Sequence, residues 1–325
     1  MSARRLDNRY QLKILENPED MSAVENLQRL VWTGSETEVI PLHMLLAAVH
    51  NGGLIIGAYE VQSLGSETAA AVELGAFSEV PPDAELVGFV FGFPGLYFTP
   101  DGPRPKHCSH MMGVHPDYRD QGIGFALKRA QWQMVRRQEL DRITWTFDPL
   151  LSRNAHLNIT LLGAVCNTYR RDEYGQLRDG LNVGLSSDRF QVDWWVRSER
   201  VFRRLSRRAR GKLDLAQFLA AEVSILNPAR MDSDGLPRPD PISADRIEAF
   251  LSGDRDRQAL VMVEIPADFL SLKAASLELG QEWRMHTRAL FEALFADGYL
   301  VTDFVYLPGA EPRSYYILSH GESTL

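Results

Sequence analysis

The chain has 325 residues, of which 45% are hydrophobic and 24% are charged, as is usual for a globular protein with a substantial core. This length exceeds the usual size of one domain, so we expect one large domain or two modest ones. The formal net charge of -8 argues against a general nucleic-acid-binding protein, whose affinity would depend on an excess of Lys and Arg.

Cysteine content and hydropathy narrow the class further. The two cysteines, Cys108 and Cys166, are too few for a disulfide framework or a cysteine-based zinc site, so we expect two small buried residues and no metal. The beginning of the chain is polar, and no segment approaches the roughly 18 apolar residues that a membrane span requires. The sequence therefore predicts a soluble cytoplasmic protein without a membrane partner.

The first predicted elements are a strand and two helices. Residues 10–15 alternate in polarity, which predicts a strand. Asn17 can cap the following helix and Pro18 fits its first turn, and apolar positions continue this helix to Trp32. A second helix is predicted from residue 41 to about residue 50, where an Asn-Gly-Gly run ends it.

The pattern that follows is typical of a mixed α/β domain. Short apolar, β-branched and aromatic runs predict strands, and a longer amphipathic run predicts a helix. The strands are predicted at residues 54–61, 86–93, 109–114, 143–147 and 192–196, the helix at 122–139, and a loop leading into a short helix at 148–162. We expect this domain to end near residue 198.

A basic segment and a Pro-rich segment come next. Residues 196–212 contain eight basic side chains, with apolar residues every four positions, which predicts a basic amphipathic helix. Its basic face is either solvated surface beside a packed apolar stripe or an anion-binding surface. Residues 227–242 hold four prolines and are the best linker candidate.

The remaining residues predict a small α/β lobe without a recognisable chemical motif. Strands are predicted at 260–265, 299–306 and 314–318, and a helix at 283–296. We therefore expect a domain at 1–198, a basic helix and linker at 199–242, and a C-terminal lobe of unknown role at 243–325.

Residues 111–128 carry the motif from which a function can be inferred: a strand, a Pro-containing turn, a Gly-rich corner (Arg119–Gly124) and a helix. Gly122 and Gly124 allow an oxyanion to approach the main-chain amides closely, at a helix start whose dipole favours negative charge. Arg119 adds a positive charge. The segment is either a diphosphate-binding corner or a tight turn that uses glycine. A dinucleotide-binding motif would need a third glycine where Leu127 stands, and the P-loop lysine is absent.

The spacing Val114-x-Pro116-x-x-Arg119-x-x-Gly122-x-Gly124 resembles the acyl-CoA signature of the GNAT acetyltransferases, R/Q-x-x-G-x-G/A after the fourth strand. The order of elements in the predicted first domain also resembles theirs. The resemblance implies an α/β fold of the GNAT type, with a mixed central sheet flanked by helices, here followed by a smaller C-terminal α/β lobe. It also implies acetyl-CoA, or another acyl-CoA, as cosubstrate.

The resemblance implies which residues bind the acyl-CoA. Main-chain groups at Met112, Gly113 and Val114 would pair with the pantetheine arm. Asn154 and Asn158 follow the fifth strand, where the family often places an Asn that contacts CoA; either can equally be a helix cap. The diphosphate would be held by Arg119, Asp120, Gln121, Gly122, Ile123 and Gly124.

A catalytic base is implied by the family's reaction, in which an amine attacks the thioester directly. His110 lies two and four residues before Met112 and Val114, so alternation predicts that all three share one face of the strand. Some arylalkylamine acetyltransferases are similar here, with a His on this strand that helps to remove the amine proton. His110 is either such a base or a hydrogen-bonded core residue.

The acid that protonates the leaving thiolate is harder to assign. Many members of the family carry a Tyr four residues before a Gly-Phe pair on the helix after the fifth strand. Here the nearest match to that glycine is Gly163, and the slot four residues before it holds Ile159. Tyr169 and Tyr174 lie shortly downstream, either as candidate acids or as half-buried aromatic residues.

Two functions are therefore expected. The first is an acyl-CoA-dependent N-acyltransferase that transfers an acetyl group to a primary amine, and the second is a non-catalytic acyl-CoA-binding or regulatory protein on the same fold. An interaction module for nucleic acid, based on the basic helix, is disfavoured by the net charge. The acceptor is not specified, although the acidic stretch at 67–85 would suit a cationic amine. A homo-oligomer is left open.

Overall fold

The computed structural model describes residues 9–32, 36–61, 77, 79–175, 184–206, 215–220, 223–240, 247 and 259–320. These residues form two compact units. The first unit comprises the described residues between 9 and 145 together with 195–197, and the second comprises the other described residues from 146 onward. The domain boundaries predicted at residues 198 and 242 stay a prediction beside this division.

The first unit is built around a sheet in which four strands run antiparallel, β1 to β4 in order, and the fifth lies parallel to β4. The strands are β1 (Tyr10–Ile14), β2 (Leu54–Glu60), β3 (Glu85–Thr99), β4 (Gly102–Val114) and β5 (Arg142–Phe147), which continues into the second unit. The helices are α1 (Pro18–Val31), α2 (Leu42–His50) and α3 (Ile123–Arg137).

Helices cover both faces of this sheet. Ile56 and Val90 pack with Ile123, Leu127 and other residues of α3 on one face. Their neighbours Ile55 and Phe89 point to the opposite face, where α1 and α2 contribute Val24, Leu27 and Leu45. Successive strand residues therefore serve two cores, as the alternation of side chains along a strand requires. The predicted mixed α/β architecture with flanking helices is confirmed.

The predicted start of α1 is also confirmed. Asn17 is the N-cap residue, and its side chain accepts a hydrogen bond of 2.9 Å from the main-chain nitrogen of Asp20. Pro18 occupies the first helical position, where its missing N–H costs no hydrogen bond. The acidic side chains of the first turn lie at the positive end of the helix dipole.

The hairpin of β3 and β4 is longer than the sequence predicts. Pairing continues beyond the predicted strand ends to Thr99 opposite Gly102. The added segments contain Pro94, Pro103 and Pro105, which are unusual inside strands. A proline is tolerated where its missing N–H would face away from the partner strand, so residues that argue against a strand here lie within one.

The second unit contains a second group of paired strands, in the order β7-β6-β12-β13-β11-β8. Its strands are β6 (Val165–Arg170), β7 (Arg189–Trp195), β8 (Ser224–Ile225), β9 (Arg230–Met231), β10 (Pro237–Arg238), β11 (Leu260–Ile265), β12 (Tyr299–Leu307) and β13 (Arg313–His320). Its helices are α4 (Ser152–Ala155), which continues as a π-helix (His156–Leu161), α5 (Glu199–Leu205), α6 (Leu215–Ala220), α7 (Phe269–Ala275) and α8 (Leu277–Ala296). The strand β6 was not predicted.

The described part of the basic segment packs within the second unit. Val201 and Leu205 of α5 are buried, and the guanidinium of Arg204 donates to Asp303 at 2.6 Å. Arg200 donates to the main-chain oxygen of Gly163 at 2.9 Å. These contacts favour the packed-stripe interpretation over an anion-binding surface; residues 207–212 lie outside the described residues. No described helix is long and apolar enough to cross a membrane.

A substitution at Gly92 of β3 tests how closely this strand packs against the buried His107 of β4. A Cβ there would lie 2.2 Å from Nε2 of His107 and 2.7 Å from the main-chain oxygen of Cys108. Because such contacts force the backbone or the buried imidazole to move, we expect Gly92→Ala to lower the free energy of unfolding by roughly 1–3 kcal/mol. Denaturant unfolding measures this loss. Gly309→Ala, whose Cβ meets nothing within 4 Å, is the control; equal stability of the two variants would contradict the packing.

Candidate functional site

The loop between β4 and α3 reverses the chain sharply. His115 precedes a short 3-10 helix (Pro116–Tyr118), and its Nδ1 accepts a hydrogen bond of 3.3 Å from the main-chain nitrogen of Asp117. Asp120 and Gly122 then adopt left-handed conformations, with φ of 64° and 84°. Gly122 takes this conformation without a steric cost, so the chain can enter the helix abruptly.

The first turn of α3 presents its main-chain amides without a side-chain cap. Its N-cap residue is Gly122, and the first intrahelical hydrogen bond runs from the nitrogen of Ala126 to the oxygen of Gly122 at 3.0 Å. The N–H groups of the preceding helical residues have no partner within the helix. The exposed Arg119 lies just before this turn, and its Nε donates to the main-chain oxygen of Val114 at 3.3 Å. Uncapped amides, a helix dipole and a guanidinium together favour an anion.

Side chains of β1, of the residue before it and of β2 hold this loop in place. The side-chain oxygen of Gln121 accepts hydrogen bonds from Tyr10 and, at 3.3 Å, from Arg9. Tyr118 donates to Glu60 at 2.6 Å, and this hydrogen bond, with burial, raises the pKa of Tyr118 to about 12. Gln121 therefore anchors the loop through its side chain, while its main chain remains part of the corner.

The edge of β4 opposite β3 is only partly paired. Its parallel pairing with β5 joins His107 to Ile143 and Cys108 to Thr144. From Ser109 to Val114, no strand in the described part of the chain pairs with this edge. An unpaired strand edge presents N–H and C=O groups that can pair with another extended chain. The predicted main-chain contacts at Met112 and Val114 lie in this segment.

His110 does not share a face with Met112 and Val114, so that prediction is wrong. The register of β4 against β3 shifts between Phe91, opposite Met111, and Gly92, opposite Ser109, which leaves His110 as the extra residue of a β-bulge. A bulge interrupts alternation. The imidazole therefore lies beside Phe91 and Phe93, with ring centroids 6.0 and 5.8 Å away.

The bulge places His110 on the face of the sheet that carries α1 and α2. Phe91 and Phe93 belong to the core on that face, whereas Met112 and Val114 pack with the core beneath α3. Although His110 is an exposed residue, packing of its ring against these neighbours removes water from part of it and lowers its pKa. The neutral form, which can accept a proton, is therefore dominant at neutral pH.

A buried polar cluster lies between α3 and β4, and the sequence analysis did not identify it. Nζ of Lys128 donates to Oγ of Ser109 at 2.7 Å and to Oε1 of Gln131 at 3.3 Å, and it lies 3.8 Å from the ring centroid of Trp145. Nε2 of His107 lies 3.2 Å from Nε2 of Gln131. The available signal was a Lys and a Gln on the core-facing side of an amphipathic helix, where apolar residues are expected.

Burial governs the charge state of this cluster. Lys128 is 3% exposed, and burial lowers its pKa to about 7. Burial, followed by the nearby Lys128, lowers the pKa of His107 to about 3, so this imidazole is neutral at physiological pH. The lysine is therefore the titrating group of the cluster near neutral pH.

Tyr169 is tied into an ion-pair network of the second unit. Its hydroxyl donates to Asp188 at 2.7 Å, and the guanidinium of Arg288 contacts both oxygens of the same carboxylate at 2.7 and 2.8 Å. Burial, and then the negative charge of Asp188, raise the pKa of Tyr169. A phenol held in this way is a weak proton donor at neutral pH.

The other predicted residues of the second unit have distinct surroundings. Tyr174 is exposed, with its hydroxyl 2.7 Å from Oγ1 of Thr146. Asn154 lies within α4 and the buried Asn158 in the π-helix. Because Leu151 is the N-cap residue of α4, neither asparagine caps that helix. Their contact with CoA stays a prediction, as does a role for either tyrosine.

Asp148 forms a turn and an ion pair, and the two cysteines differ in burial. Asp148 accepts from the main-chain nitrogen of Leu150 at 2.9 Å, as expected for a turn, and its carboxylate also pairs with the buried Arg284. The prediction of a buried cysteine is confirmed for Cys166 and is wrong for Cys108, which is partly exposed; both are free thiols. Among the described residues, no group of three or more His, Cys, Asp or Glu is arranged to hold a metal ion.

Comparison with known families confirms the resemblance over the segment that carries the corner. Residues 58–157 match the model of the Acetyltransferase (GNAT) family. The match includes His110, the whole corner and Asn154, and it ends before Asn158 and the two tyrosines. It supports acyl transfer as the general chemistry. A comparison with curated proteins finds no match.

Solved structures of acetyltransferases are similar to part of the chain. NAA60 of Arabidopsis thaliana, in complex with acetyl-CoA, has 15% identity and a TM-score of 0.42, covering 57% of this chain and 98% of its own. A putative GNAT-family acetyltransferase of Desulfovibrio desulfuricans has 13% identity and a TM-score of 0.40, covering 57% and 99%. The ribosomal-protein-S18-alanine N-acetyltransferase of Escherichia coli has 13% identity and a TM-score of 0.37, covering 57% and 94%.

The buried lysine makes stability depend on pH. Between a pKa of about 7 in the folded chain and about 10.4 in the unfolded chain, only the unfolded chain holds this proton, so raising the pH favours folding. Below pH 7 the lysine is charged in both states, and the folded chain bears the full cost of burying that charge. We therefore expect Lys128→Met to raise Tm at pH 6, with a gain that shrinks as the pH approaches 10. Thermal scans of wild type, Lys128→Met and the control Lys106→Met measure this; a gain independent of pH would contradict it.

Proposed function

We propose that this protein is an N-acyltransferase that transfers an acyl group, in particular acetyl, from acyl-CoA to a primary amine. The observation that carries the proposal is the uncapped first turn of α3, with Gly122 in a left-handed conformation and Arg119 beside it. This corner lies in the segment that matches the GNAT family. The low cysteine content of the chain, two residues, suits a cytoplasmic location.

The corner is suited to the diphosphate of CoA. The N–H groups of Ile123, Gly124 and Phe125 belong to the first helical turn and can donate to phosphate oxygens. The absence of a side chain at Gly122 and Gly124 allows those oxygens to approach. Arg119 is exposed and can turn from the oxygen of Val114 to a phosphate. The pantetheine arm, which contains two amides, would then pair with the unpaired edge of β4.

His110 is the proposed base. It carries a neutral imidazole at neutral pH, on the sheet face that also bears α1 and α2. In the proposed step the acceptor amine loses a proton to His110 or to water, and its nitrogen attacks the thioester carbonyl carbon. The C–N bond forms, the C–S bond breaks, and the electron pair leaves with sulfur. An acceptor bound on this face would therefore have the imidazole of His110 available to take its proton.

A non-catalytic acyl-CoA-binding protein is the second candidate. Two observations favour it: Ile159 occupies the slot in which many GNAT enzymes carry the acid tyrosine, and Tyr169 is held by Asp188. The two functions predict the same CoA binding and differ in turnover. A panel of primary amines, followed by release of free CoA thiol, separates them.

The diphosphate corner is tested by calorimetric titration with acetyl-CoA. We expect wild type to bind in the micromolar range and Gly122→Glu to lose at least about 100-fold in affinity, because the carboxylate would face the phosphates at close range. Gly122→Gln has the same bulk and backbone strain without the charge, so we expect an intermediate loss.

The controls separate the corner from general damage. Gly175→Glu places the same side chain at another left-handed glycine, where a Cβ meets nothing within 4 Å, and should bind acetyl-CoA as wild type does. Circular dichroism and Tm establish that each variant is folded. Equal affinity of wild type and Gly122→Glu would remove the corner as the binding site.

The role of His110 is tested with any amine that the panel identifies. Because burial lowers the pKa of His110 below its usual value of about 6.5, we expect the acidic limb of the kcat/KM profile to lie below that pH. His110→Ala should lower kcat by about 10²–10⁴ and abolish this limb. His43→Ala, on the exposed surface of α2, is the control. An unchanged profile in His110→Ala would show that another group, or water, takes the proton.

A further inference from the structure

Lys128 lies where the pairing of β4 with β5 stops. Cys108 and Thr144 form the last pair of the two strands. Ser109 and Trp145 are the next residues along each strand, and Nζ of Lys128 contacts both. The amine therefore lies at the inner end of the unpaired edge of β4, and the diphosphate corner lies at the outer end of the same edge.

The spacing of these features suits an extended ligand along β4. Ser109 is five residues before Val114, which is about 16 Å along a strand. Lys128 is four residues after Gly124, so both lie on the same side of α3, about one turn apart. A pantetheine arm that starts at the corner and follows the β4 edge therefore carries its sulfur toward Lys128.

The contacts of Lys128 leave its positive charge without an anionic partner. Within the described residues, its Nζ contacts a hydroxyl, a side-chain amide oxygen and an aromatic ring. The other titratable group of the cluster, His107, is neutral at physiological pH and adds no negative charge. Burying a cation without an anionic partner is costly, and a thiolate at this position would supply that partner.

We propose that Lys128 stabilises and protonates the leaving thiolate of CoA. The inference rests on the proposed function, because it requires the pantetheine arm to lie along β4. It assigns to the lysine the acid role that a tyrosine has in many GNAT enzymes. In this protein the corresponding position holds Ile159.

The proposed step balances without a further reactant. As the C–S bond breaks, its electron pair goes to sulfur and a proton passes from the Lys128 ammonium to the thiolate. The proton lost by the acceptor amine goes to His110 or solvent, and the neutral lysine regains a proton from solvent after the CoA thiol has left. The net products are the amide and CoA thiol. A donor with a pKa of about 7 is matched to proton transfer near neutral pH.

The test uses bound CoA and needs no acceptor. Thiolate absorbance of CoA saturating the protein is titrated from pH 6 to 10, in wild type and in Lys128→Met. Because the thiolate and the ammonium would stabilise each other, thiolate should form at a lower pH in wild type than in free CoA, and its formation should raise the pKa of Lys128 above its value of about 7 without CoA. In Lys128→Met the apparent pKa of the thiol should be equal to or above that of free CoA, because burial then acts alone.

One ligand and two further variants serve as controls for this titration. Desulfo-CoA, which lacks the sulfur, should bind wild type and Lys128→Met equally, which shows that the corner is intact. Lys128→Gln, which retains a hydrogen-bonding group without the charge, should behave as Lys128→Met does and serves if that variant is unfolded. Ser109→Ala retains the charge and should preserve the lowered thiol pKa.

The outcomes separate this inference from the function on which it rests. A lowered thiol pKa in wild type that is lost in both Lys128 variants supports it. Tight CoA binding with the same thiol pKa in wild type and variants would overturn the role of Lys128 and leave the CoA site standing. No binding of CoA or desulfo-CoA to wild type would overturn both.

Discussion

The unsatisfied main-chain amides at the start of α3 are the constraint from which the rest of the site follows. A helix cannot bond its first N–H groups internally, and most helices use a side chain of the N-cap residue to cap them. Here the N-cap residue is Gly122, which has no such side chain and adopts a left-handed conformation. Tyr10 and Tyr118 hold the loop that leads to it. The fold therefore supports a helix start that is prepared to bind an anion.

The second constraint is the register of the β3–β4 hairpin. The extra residue in β4, His110, lies on the face of α1 and α2. The side chains of Ser109, before it, and Met112, after it, point toward α3. The same strand thereby presents a potential base to one face and a hydroxyl bonded to a buried lysine to the other. A ligand lying along the edge of β4 would have proton-transferring groups on both sides.

Local signals in the sequence predicted much of the fold, and non-local contacts account for the failures. The cap at Asn17, the glycine corner and the apolar runs of the strands act over a few residues, and those elements form where expected. The bulge at His110 depends on pairing with β3, which strand alternation alone does not contain. The hairpin was predicted too short because proline argues against a strand in the sequence. Proline is tolerated where the partner strand does not need its N–H, and only the pairing of β3 with β4 shows where that is.

The buried groups of the site were the least predictable part. Lys128 appears in the sequence as one more basic residue on an amphipathic helix, and only its position beneath Ser109 and Trp145 shows that it is buried. Tyr169 was a candidate acid from its position downstream of the fifth strand, but a partner 19 residues further along, Asp188, determines its hydrogen bond and raises its pKa. Such partnerships depend on tertiary packing.

The central claim, that the first turn of α3 binds the diphosphate of CoA, is tested most directly by amide chemical shifts of the isotopically labelled protein. We predict that CoA shifts the main-chain amide signals of Gly122, Gly124 and Phe125, whereas pantetheine, which lacks the diphosphate, leaves them in place. Shifts of these amides with both ligands, or with neither while CoA perturbs another part of the chain, would contradict the account.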